Sequence, residues 1–260
     1  MGAIRLQVQM GGTVARLTLN RPERSNAFDR EMLREMGDLV RGVGDSEKIR
    51  ILMIEGAGGS FCVGVDFAAL PPGESLSGYL GSVSKAFHSV LAYLSTCPAL
   101  VLTVVNGTAA GGGFSLALAG DLRIGTPEAR FAVGYGRAGL SVDGGLSWRL
   151  PRLVGMAQAQ RLLFEDPLLG AEEARALGIL HRVIPASEIP KALEDLAGRL
   201  RLQPRSVIAR NRELLLAGQA RTLAASLEGE TVLMKTSAGT EEGAEGIRAL
   251  LEKRPPRFGP

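Results

Sequence analysis

The stretch Ser89–Gly120 contains no Asp, Glu, Lys or Arg, which indicates that most of it is buried. It is not a membrane span, because Pro98 and the glycines at 111–113 interrupt the roughly 20 continuous apolar residues that a span needs. Ala99–Val105 is typical of a strand covered on both faces, and Gly111–Ala119 of a small apolar helix. A buried strand, a turn and a buried helix in this order predict an α/β fold.

The first half of the chain alternates strand and helix signals. Strands are expected over 13–20 and 49–54, and again at DLRIGT and ARFAVG. Asp29 is the expected N-cap of a helix that ends near Gly44. The polar, glycine-containing residues 71–84 predict a mobile loop, followed by a helix that ends near Cys97.

The second half is predicted to be mostly helical. Ser187 is the expected cap of one helix, Pro204 lies in the first turn of the next, and Thr240 begins the last helix, which ends near Lys253. The other expected helices cover 144–154, 156–165 and 171–177. Without repeats or a long linker, the chain is interpreted as one domain with a helical extension.

Composition excludes several classes of protein. Two cysteines in 260 residues cannot form a disulfide framework, which favours a reducing compartment. The net charge of +3 is mild, and no block of like charges indicates a nucleic-acid-binding tail. The first ten residues do not have the pattern of a signal peptide. We therefore expect a soluble, cytoplasmic protein that binds neither membranes nor nucleic acid.

Two glycine-containing turns follow buried strands and are the best candidates for chemistry: Phe61–Phe67 (FCVGVDF) and Asn106–Phe114 (NGTAAGGGF). Amides at such turns and helix starts point outward with positive potential, so two converging turns would form an oxyanion hole. Tight helix packing is the alternative explanation for the glycines. The second turn is not a phosphate-binding loop, because no GK[ST] follows it, and it is not the dinucleotide GxGxxG fingerprint with its later acidic residue.

Six ordered segments resemble the crotonase (enoyl-CoA hydratase/isomerase) superfamily over nearly the whole chain. They are LTLNRPERSNAF, GSFCVGVDF, VNGTAAGGGFSLALAGDLRIGT, GLSVDGGLSWRLPRLVG, AEEARALGILHRVIP and EGIRALLEKRPPRF. The resemblance implies a crotonase-like spiral of ββα units over residues 1–195, which binds acyl-CoA, and a C-terminal helical trimerisation region over 196–260. It also implies a homotrimer or a dimer of trimers.

The resemblance implies roles for individual residues. By motif position, the amides of Val65 and Gly112 stabilise an enolate of the thioester, and Arg24, Val63, Asp66 and Phe67 lie along the path of CoA. Asp66 follows the turn Gly64–Val65, which we call the oxyanion turn. It is interpreted as a loop-structuring or CoA-facing residue, with a catalytic acid as the alternative. No metal or redox cofactor is implied, and CoA arrives as part of the substrate.

A typical hydratase of this superfamily has two glutamates, and this chain has another residue at each of the two positions. Ser115 and Tyr135 occupy these positions, although water addition in that scheme uses two carboxylates. Ser115 leaves room, or a weak hydrogen bond, beside the acyl chain. Tyr135 is interpreted as lining the acyl pocket, as donating a hydrogen bond to it, or as packed core.

Asp143 in SVDGGLSW is the remaining carboxylate at a suggestive position. The stretch around it is similar to the isomerases of phenylacetate breakdown, which implies a proton shuttle between carbons. A single aspartate in an apolar pocket would have a raised pKa suited to that task. In related dehalogenases a carboxylate here is the nucleophile, and a helix N-cap is the structural alternative.

The other polar candidates are interpreted as structural. His88 and His181 have no Cys or carboxylate at ligand spacing, so no metal site is expected. Lys253 and Arg254 are interpreted as solvated charges, with CoA phosphates as the alternative partner.

The sequence as a whole favours an acyl-CoA isomerase that uses Asp143 as acid and base. Three alternatives stay open: a hydratase, a hydrolase or dehalogenase with Asp143 as nucleophile, and a non-catalytic protein that binds acyl-CoA or RNA. Arg30, Arg34 and Arg41 are mixed with acidic residues on the first helix, which argues against an RNA-binding face.

Overall fold

The computed structural model describes residues 2–258, and two sheets organise this part of the chain. The larger sheet has the strand order β1-β2-β3-β5-β7-β10, in which only the β1–β2 pair is antiparallel. Its strands are β1 (Ile4–Gln9), β2 (Val14–Leu19), β3 (Ile51–Gly56), β5 (Leu100–Val105), β7 (Leu122–Gly125) and β10 (Arg182–Val183).

The smaller sheet has the order β4-β6-β8-β9, with β4, β6 and β8 parallel and β9 antiparallel. Its strands are β4 (Ser60–Cys62), β6 (Thr108–Ala110), β8 (Arg130–Ala132) and β9 (Leu169–Gly170). From β3 to β8, consecutive strands alternate between the two sheets, which gives the repeated ββα units that the resemblance implies.

Helices cover the sheets and form the C-terminal region. Those of the first half are α1 (Arg30–Asp45), α2 (Leu76–Thr96) and α3 (Gly112–Ala117). Those of the second half are α4 (Leu146–Val154), α5 (Met156–Glu165), α6 (Ala171–Ala176), α7 (Ile189–Leu200), α8 (Arg205–Gly218), α9 (Leu223–Ala238) and α10 (Glu241–Leu251). None of the helices within residues 2–258 has both the length and the apolar character needed to cross a bilayer. The predicted α/β class with a helical C-terminal region is confirmed.

The central strands are buried on both faces, as their apolar runs predict. Leu52 and Ile54 pack into the main core, whereas Ile51 and Met53 face a second core that includes side chains of α7. The caps Asp29 and Thr240 are confirmed, because their side chains accept hydrogen bonds from the amides of Met32 and Gly243. These strands and helices thus form where local signals place them.

Two predicted boundaries are wrong. Residues 71–84 are not a continuous loop, because α2 already begins at Leu76 and the Ser75 hydroxyl caps it by accepting from Gly78 N at 3.1 Å. Ser187 does not cap α7, which begins at Ile189 after a 3-10 turn over Ala186–Glu188. The boundary between the core and the helical region, placed after residue 195, stays a prediction and falls within α7.

Arg212 on α8 joins the helical region to the core. Its side chain is largely buried and pairs with Asp121 at 2.8 Å. It also donates to the carbonyl oxygens of Leu94, Cys97 and Ala99 at the end of α2. One guanidinium therefore satisfies three carbonyl groups and one carboxylate.

We expect Arg212→Met to lower the free energy of unfolding by about 3 kcal/mol, because it leaves Asp121 without its cation and buried carbonyls without donors. Urea denaturation measures the loss. Arg175→Met is the matched control: its ion pair with Glu172 is exposed, so we expect a change under about 1 kcal/mol. Equal losses in both variants would contradict this role for Arg212.

Candidate active site

The two glycine-containing turns lie against each other. They follow β4 and β6, which are parallel neighbours, so their carboxyl ends reach the same edge of the small sheet. Gly64 has φ +93°, and a Cβ on it would lie 2.9 Å from Gly112 N. A Cβ on Gly112 would lie 2.6 Å from Cζ of Phe28. Both positions therefore need glycine for the two turns to approach this closely.

The amides of Val65 and Gly112 have no acceptor among the described residues. Phe28 N donates to Gly64 O at 2.8 Å, and Asp66 N donates to Phe28 O at 2.9 Å. In this parallel bridge the Val65 N–H points away from Phe28. Gly112 is the first residue of α3, where an amide has no partner within its helix. Both amides are therefore available as donors, and their joint binding of one negatively charged oxygen stays a prediction from the resemblance.

Asp66 stabilises the oxyanion turn. Its buried carboxylate accepts from Arg21 Nη2 at 2.7 Å and from Ala68 N at 3.1 Å. Arg21 also contacts Asp29, the cap of α1, at 3.2 Å. These contacts support the loop-structuring interpretation of Asp66, and its place on the CoA path stays a prediction. The sequence does not indicate this role for Arg21. Arg21 and Asp66 are 45 residues apart along the chain, and only the fold brings their side chains together.

Asp143 presents its carboxylate to α2. Its Oδ1 lies 2.5 Å from His88 Nε2 and accepts from Ser84 Oγ at 3.2 Å. The side chain does not cap α4, whose N-cap is Gly145. The expectation of an apolar pocket is wrong at the carboxylate itself, because a hydroxyl and an imidazole contact it. His88 thus belongs to the candidate site, and its i, i+4 spacing from Ser84 on α2 is the signal that could have indicated a shared face.

Ser84, His88 and Asp143 do not form a nucleophilic triad of the serine-hydrolase type. Such a triad needs one imidazole nitrogen on the serine and the other on the carboxylate. Here Nε2 of His88 contacts both Ser84 Oγ, at 3.3 Å, and Asp143 Oδ1. The arrangement is an Asp–His pair with a serine hydroxyl bound to the same carboxylate oxygen.

Ser115 and Tyr135 hold the backbone of Asp143. Ser115 Oγ donates to Asp143 O at 2.8 Å, and Tyr135 OH donates to the same oxygen at 3.4 Å. Burial raises the pKa of Tyr135 to about 12, so the phenol stays protonated at neutral pH and is a donor rather than a base. Because Ser115 is on α3, one hydrogen bond connects the Asp143 loop to the helix that begins at Gly112.

The predicted CoA-path residues lie at the edge of this site. Arg24 is exposed on the 3-10 turn Pro22–Arg24, Val63 is half-buried beside the oxyanion turn, and Phe67 is 49% exposed. Their contacts with CoA stay predictions.

The remaining candidates lie in other environments. His181 Nδ1 accepts from Arg123 N at 3.1 Å, and burial lowers the pKa of this histidine. Arg254 pairs with Glu245 and Glu252, each at 2.6 Å. Within residues 2–258, no three His, Cys, Asp or Glu side chains lie close enough to hold a metal ion. The predicted independence from metals and redox cofactors stays a prediction.

The described residues form repeated ββα units in which two glycine-containing turns lie side by side, and the comparisons with known proteins identify the family. Residues 9–260 match the family model described as enoyl-CoA hydratase/isomerase, so the chain belongs to this family. Membership confirms the resemblance seen in the sequence.

Similar proteins include both isomerases and hydratases. The chain is 33% identical to the 1,2-epoxyphenylacetyl-CoA isomerase of Escherichia coli over 94% of each chain. It is 34% identical to a probable enoyl-CoA hydratase of Rhodobacter capsulatus over 98% of this chain and 97% of that one. It is 26% identical to 4-chlorobenzoyl coenzyme A dehalogenase-2 of an Arthrobacter species over 95% of this chain and 91% of that one. The crystal structure of an enoyl-CoA hydratase from Polaromonas sp. JS666 superposes with a TM-score of 0.92 at 30% identity. The superposition covers 99% of this chain and 100% of that one.

Proposed function

We propose that the chain is an acyl-CoA isomerase that moves a double bond with Asp143 as acid and base. The thioester oxygen of a 3-enoyl-CoA accepts from Val65 N–H and Gly112 N–H, which acidifies the α-carbon. The Asp143 carboxylate removes an α-proton, and the negative charge moves to the thioester oxygen. The carboxylic acid then returns the same proton to the γ-carbon, which gives the 2-enoyl-CoA without adding water.

The observation that carries this proposal is the position of the loop that contains Asp143. The backbone carbonyl of Asp143 accepts a 2.8 Å hydrogen bond from Ser115 on α3, one turn of helix after Gly112. The two positions at which hydratases carry glutamates hold a buried serine and a protonated tyrosine, neither of which is a base at neutral pH. One carboxylate suffices for a proton that leaves and returns.

His88 acts here as a positioning residue. An imidazole nitrogen 2.5 Å from a carboxylate oxygen donates to the carboxylate, or accepts from the carboxylic acid in the other tautomer. The contact can therefore persist while Asp143 gains and loses the proton. Ser84 adds a hydroxyl donor to the same oxygen at 3.2 Å.

The same pair of residues supports a second candidate, hydrolysis of an aryl halide carried on CoA. Asp143 would attack the ring carbon, halide would leave as an anion, and an aspartyl ester would form. Water would then attack the ester carbonyl while His88 takes a proton, which releases the phenol and restores Asp143. The histidine beside the carboxylate favours this candidate, as does the dehalogenase relative.

A mass-resolved assay in D₂O separates the candidates. We expect 3-hexenoyl-CoA to become 2-hexenoyl-CoA without the mass of water, and with deuterium at carbon only in those turnovers in which the proton on Asp143 exchanges with solvent before it is delivered. Water addition to crotonyl-CoA at a comparable rate would overturn isomerisation in favour of hydration. Halide released in proportion to 4-chlorobenzoyl-CoA consumed, without migration of a double bond, would favour hydrolysis.

We also propose a homotrimer or a dimer of trimers, with acyl-CoA as the small-molecule partner. Large apolar side chains are exposed on the C-terminal helices, and burial against another copy would remove them from water. These are Leu215, Leu223, Leu227, Val232, Met234, Ile247, Leu250 and Leu251. The ion pairs of Arg30 with Glu74 and Arg41 with Asp38 neutralise basic groups of α1, which is consistent with the absence of a nucleic-acid partner.

A further inference from the structure

A groove of about 350 Å³ lies between α2 and the start of α4, and Gly144, the residue after Asp143, is in its wall. Its walls include His88, Leu91, Ala92, Gly145, Trp148 and Arg149. His88 lines this groove and its Nε2 is 2.5 Å from Asp143 Oδ1, so the groove adjoins the carboxylate of the proposed proton transfer. Leu91, Ala92 and the indole of Trp148 offer apolar surface to a chain that extends beyond the reacting carbons.

Arg149 adds a positive charge to this apolar groove. Its guanidinium makes one long hydrogen bond, from Nη1 to Leu118 O at 3.5 Å, and no ion pair within 4.0 Å in the described chain. The nearby carboxylate of Asp121 is engaged elsewhere: Oδ1 binds Arg212 Nε at 2.8 Å and Oδ2 accepts from Val101 N at 2.7 Å. Burial lowers the pKa of Arg149, as expected of a partly buried cation that has no anion in direct contact among the described residues.

The surroundings of Arg149 add further positive charge. A second hollow of about 210 Å³ on its other side is lined by Asp121, Arg123 and Arg152 as well as Arg149. Among residues 2–258, Arg123 donates only to carbonyl oxygens. Arg152 stacks on the Trp148 ring with its Cζ 4.4 Å from the centroid. Cations outnumber anions here, so an anionic group is the ligand that this end of the groove favours.

We propose that Arg149 binds a carboxylate at the far end of the acyl chain, so that the substrates are CoA thioesters of dicarboxylic acids. The planar guanidinium matches a carboxylate with two parallel hydrogen bonds, which a methyl-terminated chain cannot make. This inference rests on the proposed function for the position of the thioester, and it adds the class of acyl group.

The test compares two substrates of equal chain length, 3-hexenoyl-CoA and the mono-CoA thioester of 3-hexenedioic acid. We expect the wild type to prefer the dicarboxylic substrate by tenfold or more in kcat/KM, mainly through KM. Arg149→Gln should remove this preference and leave turnover of 3-hexenoyl-CoA within about twofold. Arg149→Lys, which keeps the charge, should restore part of it. Arg175→Gln, which removes a cation from an exposed ion pair on α6 away from both hollows, should retain all of it.

Calorimetry with two saturated thioesters, hexanoyl-CoA and adipoyl-CoA, separates this inference from the proposed function. A preference of the wild type for adipoyl-CoA that Arg149→Gln abolishes supports the inference even if neither enoyl substrate is turned over. Equal affinity for the two thioesters overturns it, whatever reaction is catalysed. An equal loss of binding for both thioesters in Arg149→Gln and Arg149→Lys, with thermal unfolding unchanged, also overturns it.

Discussion

An Asp143→Ala variant is expected to lose about 10³-fold in kcat/KM for double-bond migration, because a positioned acid–base group contributes about 10²–10⁴-fold. Affinity for the CoA thioester should change little, since the oxyanion amides and the predicted CoA path belong to other loops. The loop itself should persist, because the backbone carbonyl of residue 143, and not its side chain, accepts from Ser115 and Tyr135.

Steady-state kinetics, calorimetry with a saturated thioester and thermal unfolding measure these three quantities. Asp143→Asn keeps the volume of the side chain and should lose as much activity as alanine, because an amide cannot carry the proton. Ser84→Ala is the matched control: it removes a hydrogen bond from the same carboxylate oxygen but no proton carrier, so we expect a loss below tenfold. An alanine variant at 143 that retains a tenth of wild-type kcat/KM would rule out Asp143 as the base.

Local signals predicted much of the fold. Asp29 and Thr240 have cap side chains followed by helical residues, and Ala99–Val105 is apolar except at Thr103, as expected of a strand between two layers. The helix α9 was not predicted, because it has no buried residue from which an amphipathic pattern could arise. The apolar side chains of α9 do not face the core of the described residues, so they do not form the stripe at helical spacing by which a sequence indicates a helix.

The site depends on long-range contacts that periodicity does not encode. His88 and Asp143 are 55 residues apart, and Arg21 and Asp66 are 45 apart. The sequence indicated two glycine-containing turns, but their convergence depends on the pairing of β4 with β6 in a second sheet. Only the resemblance implied that Val65 and Gly112 act together.

Gly64→Ala is the most direct change to the oxyanion hole, because the donors are backbone groups that no substitution removes. A methyl group there would lie 2.9 Å from Gly112 N and 3.3 Å from Ala110 O, so the two turns must separate. Removing one oxyanion donor costs about 10²–10³-fold in kcat. We expect a loss of this size, because the displaced amides no longer converge on one oxygen.

Gly11→Ala controls for backbone strain. Gly11 has a left-handed backbone with φ +68° and ψ +25°, and no atom of the described residues lies within 4 Å of the added methyl group. This variant should lose about 1 kcal/mol of stability through the left-handed backbone. Gly64→Ala should lose more, because of the contact with Gly112 N, and only Gly64→Ala should lose activity. Kinetics are measured well below the unfolding midpoints of both variants, so that a loss of kcat does not reflect unfolded protein. If both variants keep wild-type kcat, the negative charge of the intermediate is stabilised elsewhere, and the assignment of the Val65 and Gly112 amides is wrong.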